Sequence, residues 1–153
     1  MFKHILYPTD GSEVAIKALD SALMLAQAHN AKLTVLTVTP PYPPVYAGDG
    51  YVFDPLSAKE WKAINDKKTA AIRADIHKRT SKKSTGNEFP VAIQYVAVAD
   101  NQPYHAIIDV AKKRKCDLIV MASHGRRGIA AVLLGSETTK VLTHSKIPVL
   151  VCR

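Results

Sequence analysis

Short apolar runs alternate along this chain with segments in which apolar residues recur at helical spacing. The runs are rich in β-branched residues and have no polar face, which is typical of inner strands of a parallel sheet. The pattern predicts strands at residues 3–7, 33–38, 91–98, 117–122 and 147–151. It predicts helices at about 12–30, 58–83, 103–115 and 136–144. This alternation predicts a doubly wound α/β sandwich with helices on both faces of a parallel sheet.

Local signals support several of these boundaries. Ser12 offers an N-cap hydroxyl, and Asn30 tolerates the left-handed conformation that ends many helices. The predicted helix at 58–83 has a basic outer face, and its apolar positions are Trp61, Ile64, Ala71, Ile72 and Ile76. A proline- and aromatic-rich loop occupies residues 40–57. Because no repeat or linker interrupts the alternation, we expect one domain over residues 1–153.

The composition excludes several classes of protein. Hydrophobic residues make up 47% and charged residues 22% of the chain, as in globular domains and unlike disordered ones. No apolar stretch is long enough to span a membrane, and no secretory signal is visible at the start. Cys116 and Cys152 adjoin apolar runs and form no metal or redox motif, so we expect the protein to reside in the reducing cytoplasm.

The excess of basic over acidic residues is confined to the second half of the chain. The formal net charge is +8, and residues 77–153 hold all of the excess. Much of it lies in two clusters, Lys78, Arg79, Lys82 and Lys83, and Lys112, Lys113, Arg114 and Lys115. Such clusters fit solvated helix ends, and they also fit a surface for nucleic acid or an acidic partner. No aromatic residues are interleaved with these lysines, which disfavours RNA binding.

Candidate chemistry is concentrated after the predicted strands. Ligands of open parallel sheets bind beyond the carboxyl ends of the strands. Residues 123–136 follow the fourth strand and contain Gly125, Gly128 and Gly135 before a helix, where backbone N–H groups and the helix dipole favour an anion. The same residues also fit ordinary loop glycines with Ser136 as an N-cap, and the residues alone leave these alternatives open.

Catalytic machinery is not evident in the sequence. The six histidines show no close-spaced ligand pair, so the pattern does not favour a metal site made by the protein alone. His124 lies in the glycine-containing loop, where a structural role fits better than a general base. Asp10 and Asp117 are predicted at opposite edges of the sheet, so they do not form a carboxylate pair.

Four segments in order resemble the universal stress protein family over essentially the whole chain. They are ILYPTDGS at 5–12, DLIVMASHGRRG at 117–128, LLGS at 133–136 and IPVLV at 147–151. Nucleotide-binding members of that family show G-x2-G-x9-G-[ST] after the fourth strand. The corresponding positions here are Ala122, Gly125, Gly135 and Ser136, so alanine replaces the first glycine.

The resemblance implies a five-stranded parallel sheet of order 3-2-1-4-5, similar to the adenine nucleotide alpha hydrolase fold. It implies a cytoplasmic homodimer joined through the C-terminal strand, with ATP, or AMP or ADP, across the ends of strands one and four. Asp10 would lie near the ribose, the phosphates or a Mg²⁺ ion, Val38 would hold adenine by its main chain, and Gly135 and Ser136 would contact phosphate. All positions carried over from the family are Pro8, Thr9, Asp10, Val38, Met121, Ala122, His124, Gly125, Arg127, Gly135 and Ser136.

Two departures from the family pattern bear on this site. The Cβ of Ala122 reduces clearance for ribose or phosphate but removes no donor, so it weakens the expected site without abolishing it. Glu137 brings like charge to the first turn after Ser136, where it also stabilises the helix dipole. We therefore expect a nucleotide-dependent regulatory or protective protein with slow or no hydrolysis. The alternative is a regulatory module without nucleotide that recognises a protein or nucleic acid through its basic second half.

Overall fold

The computed structural model describes residues 1–42, 57–83, 91–123 and 134–153 of the chain. Its strands are β1 (His4–Pro8), β2 (Lys32–Thr39), β3 (Ile93–Ala99), β4 (Leu118–Ala122) and β5 (Val149–Cys152). Its helices are α1 (Glu13–His29), α2 (Ala58–Lys83), α3 (Pro103–Lys113) and α4 (Ser136–His144). The five strands form one parallel sheet of order β3-β2-β1-β4-β5, which confirms the predicted fold and strand order.

Alternate residues of the sheet supply two apolar cores, one on each face. The first core packs against α1 and α2 and includes Ile5, Tyr7 and Val120, with Ile76 of α2 almost fully buried. The second packs against α3 and α4 and includes Leu6, Leu36, Ile119 and Val141. This period-two division of side chains produces the three layers and leaves the ends of the central strands as the polar part of the sheet.

The ends of α1 follow the predicted signals. The Ser12 hydroxyl accepts the Ala15 N–H at 3.2 Å, and Asn30 adopts a left-handed conformation with φ of 51°. At the end of α3, Lys115 takes the same conformation, with φ of 56°, although a lysine there is not a left-handed signal. The capping box in which Ser57 and Glu60 exchange hydrogen bonds was readable in the sequence as S-x-x-E but was not part of the prediction.

The prediction for α2 was right in its bounds and wrong in part of its buried face. Ile72 and Ile76 contact the first core, as expected. Ile64 is 53% exposed and Ala71 is also exposed, because α2 contacts the first core through Ile72 and Ile76 in its second half. Most of the predicted loop at 40–57, residues 43–56, lies outside the described residues. None of the described helices combines the length and the apolar character that crossing a membrane requires.

Candidate nucleotide site

The residues predicted at the first strand lie at its carboxyl end and are held by local hydrogen bonds. Pro8 closes β1, and the buried Thr9 accepts the Gly11 N–H on its hydroxyl at 3.1 Å. Asp10 accepts the Ser12 N–H on Oδ1 at 2.9 Å, which fixes its carboxylate against the start of α1. Gly11 has a φ of +78°, a left-handed conformation that glycine adopts without strain. The turn therefore presents Asp10 in a defined orientation.

Behind this turn, Tyr7 anchors α1 to the sheet. Its hydroxyl donates to the Ala15 carbonyl at 2.6 Å, and the side chain is fully buried. Burial raises the pKa of Tyr7 to about 12, because the phenolate would lose its hydration, so the hydroxyl stays protonated and donates. The sequence did not indicate this contact, since a tyrosine in a strand has many possible partners.

Val38 lies in β2, two residues past Leu36, the last residue of β2 that pairs with β1. Lys32 donates its N–H to the Lys3 carbonyl, and Thr9 donates its N–H to the Leu36 carbonyl at 2.8 Å. Even-numbered residues of β2 thus direct their main-chain groups toward β1. Since β1 pairs only as far as Leu36, the N–H and C=O of Val38 face the space past Pro8. No main-chain bond within the described residues occupies either group, so one donor and one acceptor lie side by side at the carboxyl ends of the strands.

The end of β4 is tied directly to the start of α4. Met121 and Ala122 are buried, and the Ala122 carbonyl accepts the hydroxyl of the buried Thr138 at 3.0 Å. The Gly135 N–H donates to the Ser123 carbonyl at 2.8 Å. Met121 contributes to the second core and Ala122 to the first, so the Ala122 Cβ packs toward α1, on the face opposite α4. The extra methyl group is accommodated within the core.

The first turn of α4 lacks a side-chain cap. Gly135 is the N-cap residue, and no side-chain hydrogen bond caps the helix in the described residues. The alternative in which Ser136 is the N-cap is wrong, since Ser136 is the first residue of the helix and is exposed. Within the described residues, no side chain occupies the N-terminal N–H groups of α4, and such groups favour an anion. His124, Gly125 and Arg127 lie outside the described residues.

Glu137 does not point at that N-terminus. Its Oε2 accepts the Tyr104 N–H in the first turn of α3 at 2.8 Å, and its Oε1 accepts from Lys140 at 2.9 Å. The like charge that the sequence placed beside the expected phosphates is thus directed to another helix and paired with an ammonium group. This contact was not predicted, because it joins residues 33 positions apart.

The amino ends of the strands, opposite the candidate site, carry a different set of charges. Asp117 accepts the backbone N–H groups of Lys3 at 2.7 Å and His4 at 3.0 Å, which confirms that it is far from Asp10. Burial acts to raise the pKa of Asp117, but these hydrogen bonds outweigh it and hold the pKa below its usual range. The first basic cluster lies in the last turns of α2, and the second spans the end of α3 and the two residues after it. Both helices lead to the amino ends of strands, so the clusters are remote from the candidate site.

Comparisons with known proteins agree with this architecture. The model of the universal stress protein family matches residues 1–153. The chain belongs to that family. A universal stress protein of Thermus aquaticus is 32% identical over 153 residues, covering 100% of both chains. The structure of the universal stress protein UspA from Lactobacillus plantarum shares 28% identity at a TM-score of 0.77, covering 99% of this chain and 97% of that one.

A further solved structure bears on the ligand. It is a universal stress protein in complex with cAMP, 26% identical, with a TM-score of 0.68, and the match covers 99% of this chain and 97% of that one. The sheet order found here is that of solved universal stress proteins and of the adenine nucleotide alpha hydrolase-like fold. An adenine nucleotide is therefore a documented ligand within this universal stress protein fold.

Proposed function

We propose that this universal stress protein binds an adenine nucleotide, ATP in preference to AMP or ADP, across the carboxyl ends of β1, β2 and β4. In this proposal it acts as a nucleotide-dependent regulatory or protective protein, with slow or no hydrolysis. The proposal depends on two features that lie at the carboxyl ends of the strands. One is the main-chain N–H and C=O of Val38, which face the space past Pro8, and the other is the first turn of α4, which no side chain caps in the described residues. The cAMP complex of a family member supports the choice of base.

The Val38 main chain matches adenine in its hydrogen-bonding groups. An N–H and a C=O on the same residue can donate to a ring nitrogen of adenine and accept from its amino group. Guanine presents the opposite order at the same edge, a carbonyl acceptor and a ring N–H donor. The site is therefore expected to reject GTP, because a bound guanine would cover the Val38 N–H and C=O without pairing them.

The phosphates are assigned to the start of α4. In the described part of the chain, no side chain caps the N–H groups that follow Gly135, and Ser136 adds an exposed hydroxyl. Gly125, His124 and Arg127 belong to the same proposed site by their positions in the family motif. Ala122 adds no obstacle on the α4 side, since its Cβ packs in the first core.

Mg²⁺ is proposed to enter with the nucleotide at Asp10. A hard cation prefers carboxylate and phosphate oxygens, and Asp10 lies where the turn after β1 faces the site. Among the described residues, no group of three or more His, Cys, Asp or Glu side chains could hold a metal ion, so phosphate oxygens would have to complete the coordination. Bound with the nucleotide, the ion would neutralise phosphate charge.

The proposal also includes a single domain over residues 1–153, a cytoplasmic location and a homodimer. The dimer is proposed to form through β5, the outermost strand on its side of the sheet. Leu150 in that strand is 40% exposed, which is unusual for a leucine in a short apolar strand. Pairing with a second copy would cover this side chain and the free strand edge.

Titration calorimetry tests the proposed function. Purified protein is titrated with Mg-ATP, Mg-GTP and cAMP, and mass spectrometry of the denatured supernatant checks for nucleotide that copurifies. We expect saturable binding of ATP, with GTP weaker by about tenfold or more because its hydrogen-bonding pattern is reversed. The absence of heat with every adenine nucleotide, from protein shown to carry none, would contradict the proposal.

A further inference from the structure

The outer edge of β3 is the longest free strand edge in the described residues. β3 pairs with β2 over seven residues, and no strand of the described ranges lies on its other side. The strand at the opposite border, β5, has only four residues, with Pro148 before it and Arg153 after it. β3 contains neither a proline nor a charged residue. Proteins usually protect a long edge with such residues, so an unprotected one is a template for pairing with another chain.

The hydrogen bonds to β2 determine which groups face outward. Leu33 donates its N–H to the Ala92 carbonyl at 2.9 Å, and the Asp100 N–H donates to the Thr39 carbonyl at 3.0 Å. Even-numbered residues along β3 thus bond to β2. The N–H and C=O groups of the odd-numbered residues point away from the sheet, and these residues are Ile93, Tyr95, Ala97 and Ala99. They form a regular series of donors and acceptors.

Positive charge borders this edge on both faces of the sheet. On the α2 side, the guanidinium of Arg73 lies 5.0 Å from the centre of the Tyr95 ring. On the α3 side, Arg114 donates from Nη1 to the Gln94 side chain at 3.0 Å. Further basic groups lie toward the amino end of β3, in the last turns of α2 and α3 and two residues after α3. They are Lys78, Arg79, Lys112, Lys113 and Lys115.

Two acidic residues near this edge, Asp75 of α2 and Asp100 after β3, do not neutralise these basic side chains. Asp75 is paired with Arg79 at 2.9 Å. Asp100 follows the carboxyl end of β3, at the end remote from Arg114, and its Oδ1 accepts the Gln102 N–H. Among the described residues, the basic groups at the amino half of the edge therefore outnumber the unpaired acidic ones. The main chain of the edge can bond to any extended peptide, whatever its sequence.

We propose that the outer edge of β3 is a docking site for an extended acidic peptide segment of a partner protein. The segment adds as a sixth strand, its main chain pairing with the odd-numbered residues of β3 and its carboxylates meeting Arg73 and Arg114. This function is independent of the nucleotide site, which lies at the carboxyl edge of the sheet. It also gives the basic second half of the chain a specific ligand, a peptide, in place of nucleic acid.

Fluorescence anisotropy with labelled peptides tests the proposal. The probe is a peptide of about seven residues, the length of β3, in which pairs of glutamates alternate with pairs of valines, so that carboxylates reach both faces of the sheet. Its controls carry lysine in place of glutamate, or prolines in the centre. We expect the acidic peptide to bind, more weakly as salt rises, and neither control to bind. Failure of the acidic peptide to bind, or equal binding of the lysine peptide, would overturn the proposal.

Ala97→Pro separates the outer edge from the rest of the sheet. The Ala97 N–H faces outward, so proline removes a donor from the edge and none from the pairing with β2. Affinity for the acidic peptide should fall about tenfold. The matched control is Val151→Pro, which removes an outward N–H from β5 and should leave peptide binding unchanged. A folded Ala97→Pro variant that binds the peptide normally would show that the edge is not the site.

Charge variants read the same site without altering the backbone. Arg114→Glu should weaken the acidic peptide about tenfold or more, whereas Lys17→Glu makes the same charge change on α1, outside the edge, and should have little effect. Equal losses of affinity in both variants would show that the interaction depends only on the net charge of the protein, which would overturn the proposal. A sedimentation change in Ala97→Pro without peptide would show that a second copy occupies this edge, which also contradicts it.

Discussion

Glu137 of α4 caps α3, since its Oε2 accepts the Tyr104 backbone N–H at 2.8 Å. Neither helix is capped by a side chain at its own N-cap position, because Gln102 and Gly135 both leave the first turn without such a bond. The contact fixes the start of α4 relative to α3 and turns the Glu137 charge away from the proposed phosphate position. One residue thus links the stability of the second core to the electrostatics of the candidate site.

Glu137→Ala is expected to lower the free energy of unfolding by about 1 kcal/mol, the typical contribution of a side-chain cap. Glu137→Gln should cost less, because its amide oxygen can still accept the Tyr104 N–H. Urea unfolding measures both variants. Glu13→Ala is the matched control, an acid in the first turn of α1, and should cost only a few tenths of a kcal/mol. Equal costs at positions 13 and 137 would show that the cap is without effect.

Gly11→Ala is expected to destabilise the protein by about 1–2 kcal/mol or more. The backbone there has a φ of +78°, and an added Cβ would lie 2.8 Å from Cγ1 of Ile72. Thermal and urea unfolding give the cost. In an Ile72→Ala background the clash is relieved and the conformational strain remains, so Gly11→Ala should cost less there. Identical costs in both backgrounds would show that Ile72 already moves aside.

The sequence allowed the fold to be predicted because its signals there are local or periodic. Ser12 and Asn30 act within a few residues of themselves, and the apolar runs report burial directly. Lys115 could not be predicted in a left-handed conformation, since its own preference opposes it and the turn is closed by the Cys116 N–H, which donates to the Ala111 carbonyl at 2.8 Å. Ile64 was misassigned because periodicity shows which face of a helix is apolar and does not show where the sheet beneath it ends.

The candidate site also has some features that the sequence predicts and others that it does not. Its location followed from the strand order, since the carboxyl ends of parallel strands meet at one edge. The direction of the Val38 main-chain groups depends on the register between β1 and β2, and the orientation of Glu137 depends on packing between two helices. Neither property is encoded by residues close in sequence. Such details required the three-dimensional structure.

Tyr7→Phe is expected to cost about 1 kcal/mol at neutral pH through loss of the hydrogen bond to Ala15. The cost should shrink in alkali. Burial raises the pKa of Tyr7 to about 12 in the folded protein, against about 10 when unfolded. The unfolded chain releases the proton first, so this contribution is complete below pH about 10 and is lost as the pH rises toward about 12. Urea unfolding across this range measures the difference between wild type and variant.

Tyr104→Phe serves as the control for Tyr7→Phe, because Tyr104 is half-buried between α3 and α4. Comparing the two variants at each pH separates the loss of the Tyr7 hydroxyl from the general effect of alkali on a chain with one tyrosine hydroxyl fewer. If Tyr7→Phe and wild type lose stability in parallel between neutral and alkaline pH, the Tyr7 hydroxyl does not control the transition.

Asp10→Asn and Asp10→Ala together test the proposed role of Asp10 with Mg²⁺. Asparagine keeps an oxygen for the Ser12 N–H and removes the charge, whereas alanine removes both. If the carboxylate acts on a cation, both variants should lose about tenfold or more in Mg-ATP affinity, and wild type should lose a similar factor when EDTA removes Mg²⁺. Calorimetry measures each case. Full affinity in Asp10→Asn, with loss only in Asp10→Ala, would assign Asp10 to the turn and the ribose instead.

The proposed dimer makes the final prediction, and it rests on β5. Ile119 donates its N–H to the Pro148 carbonyl and Ser123 to the Cys152 carbonyl, so even-numbered residues of β5 bond to β4. The main-chain groups of Val149 and Val151 consequently face outward, beside the 40% exposed Leu150. An antiparallel copy related by a two-fold axis can pair with these groups and bury the leucine.

Sedimentation should therefore give about twice the chain mass of 16.7 kDa for the wild type. Leu150→Lys places a charge in the interface and Val151→Pro removes an outward donor, so each should yield monomer with little change in the pairing between β4 and β5. Ala97→Pro on the other border of the sheet should remain dimeric, which makes it the matched control. A wild-type monomer at micromolar concentration, or fully dimeric Leu150→Lys and Val151→Pro variants, would place the contact between copies on a different surface.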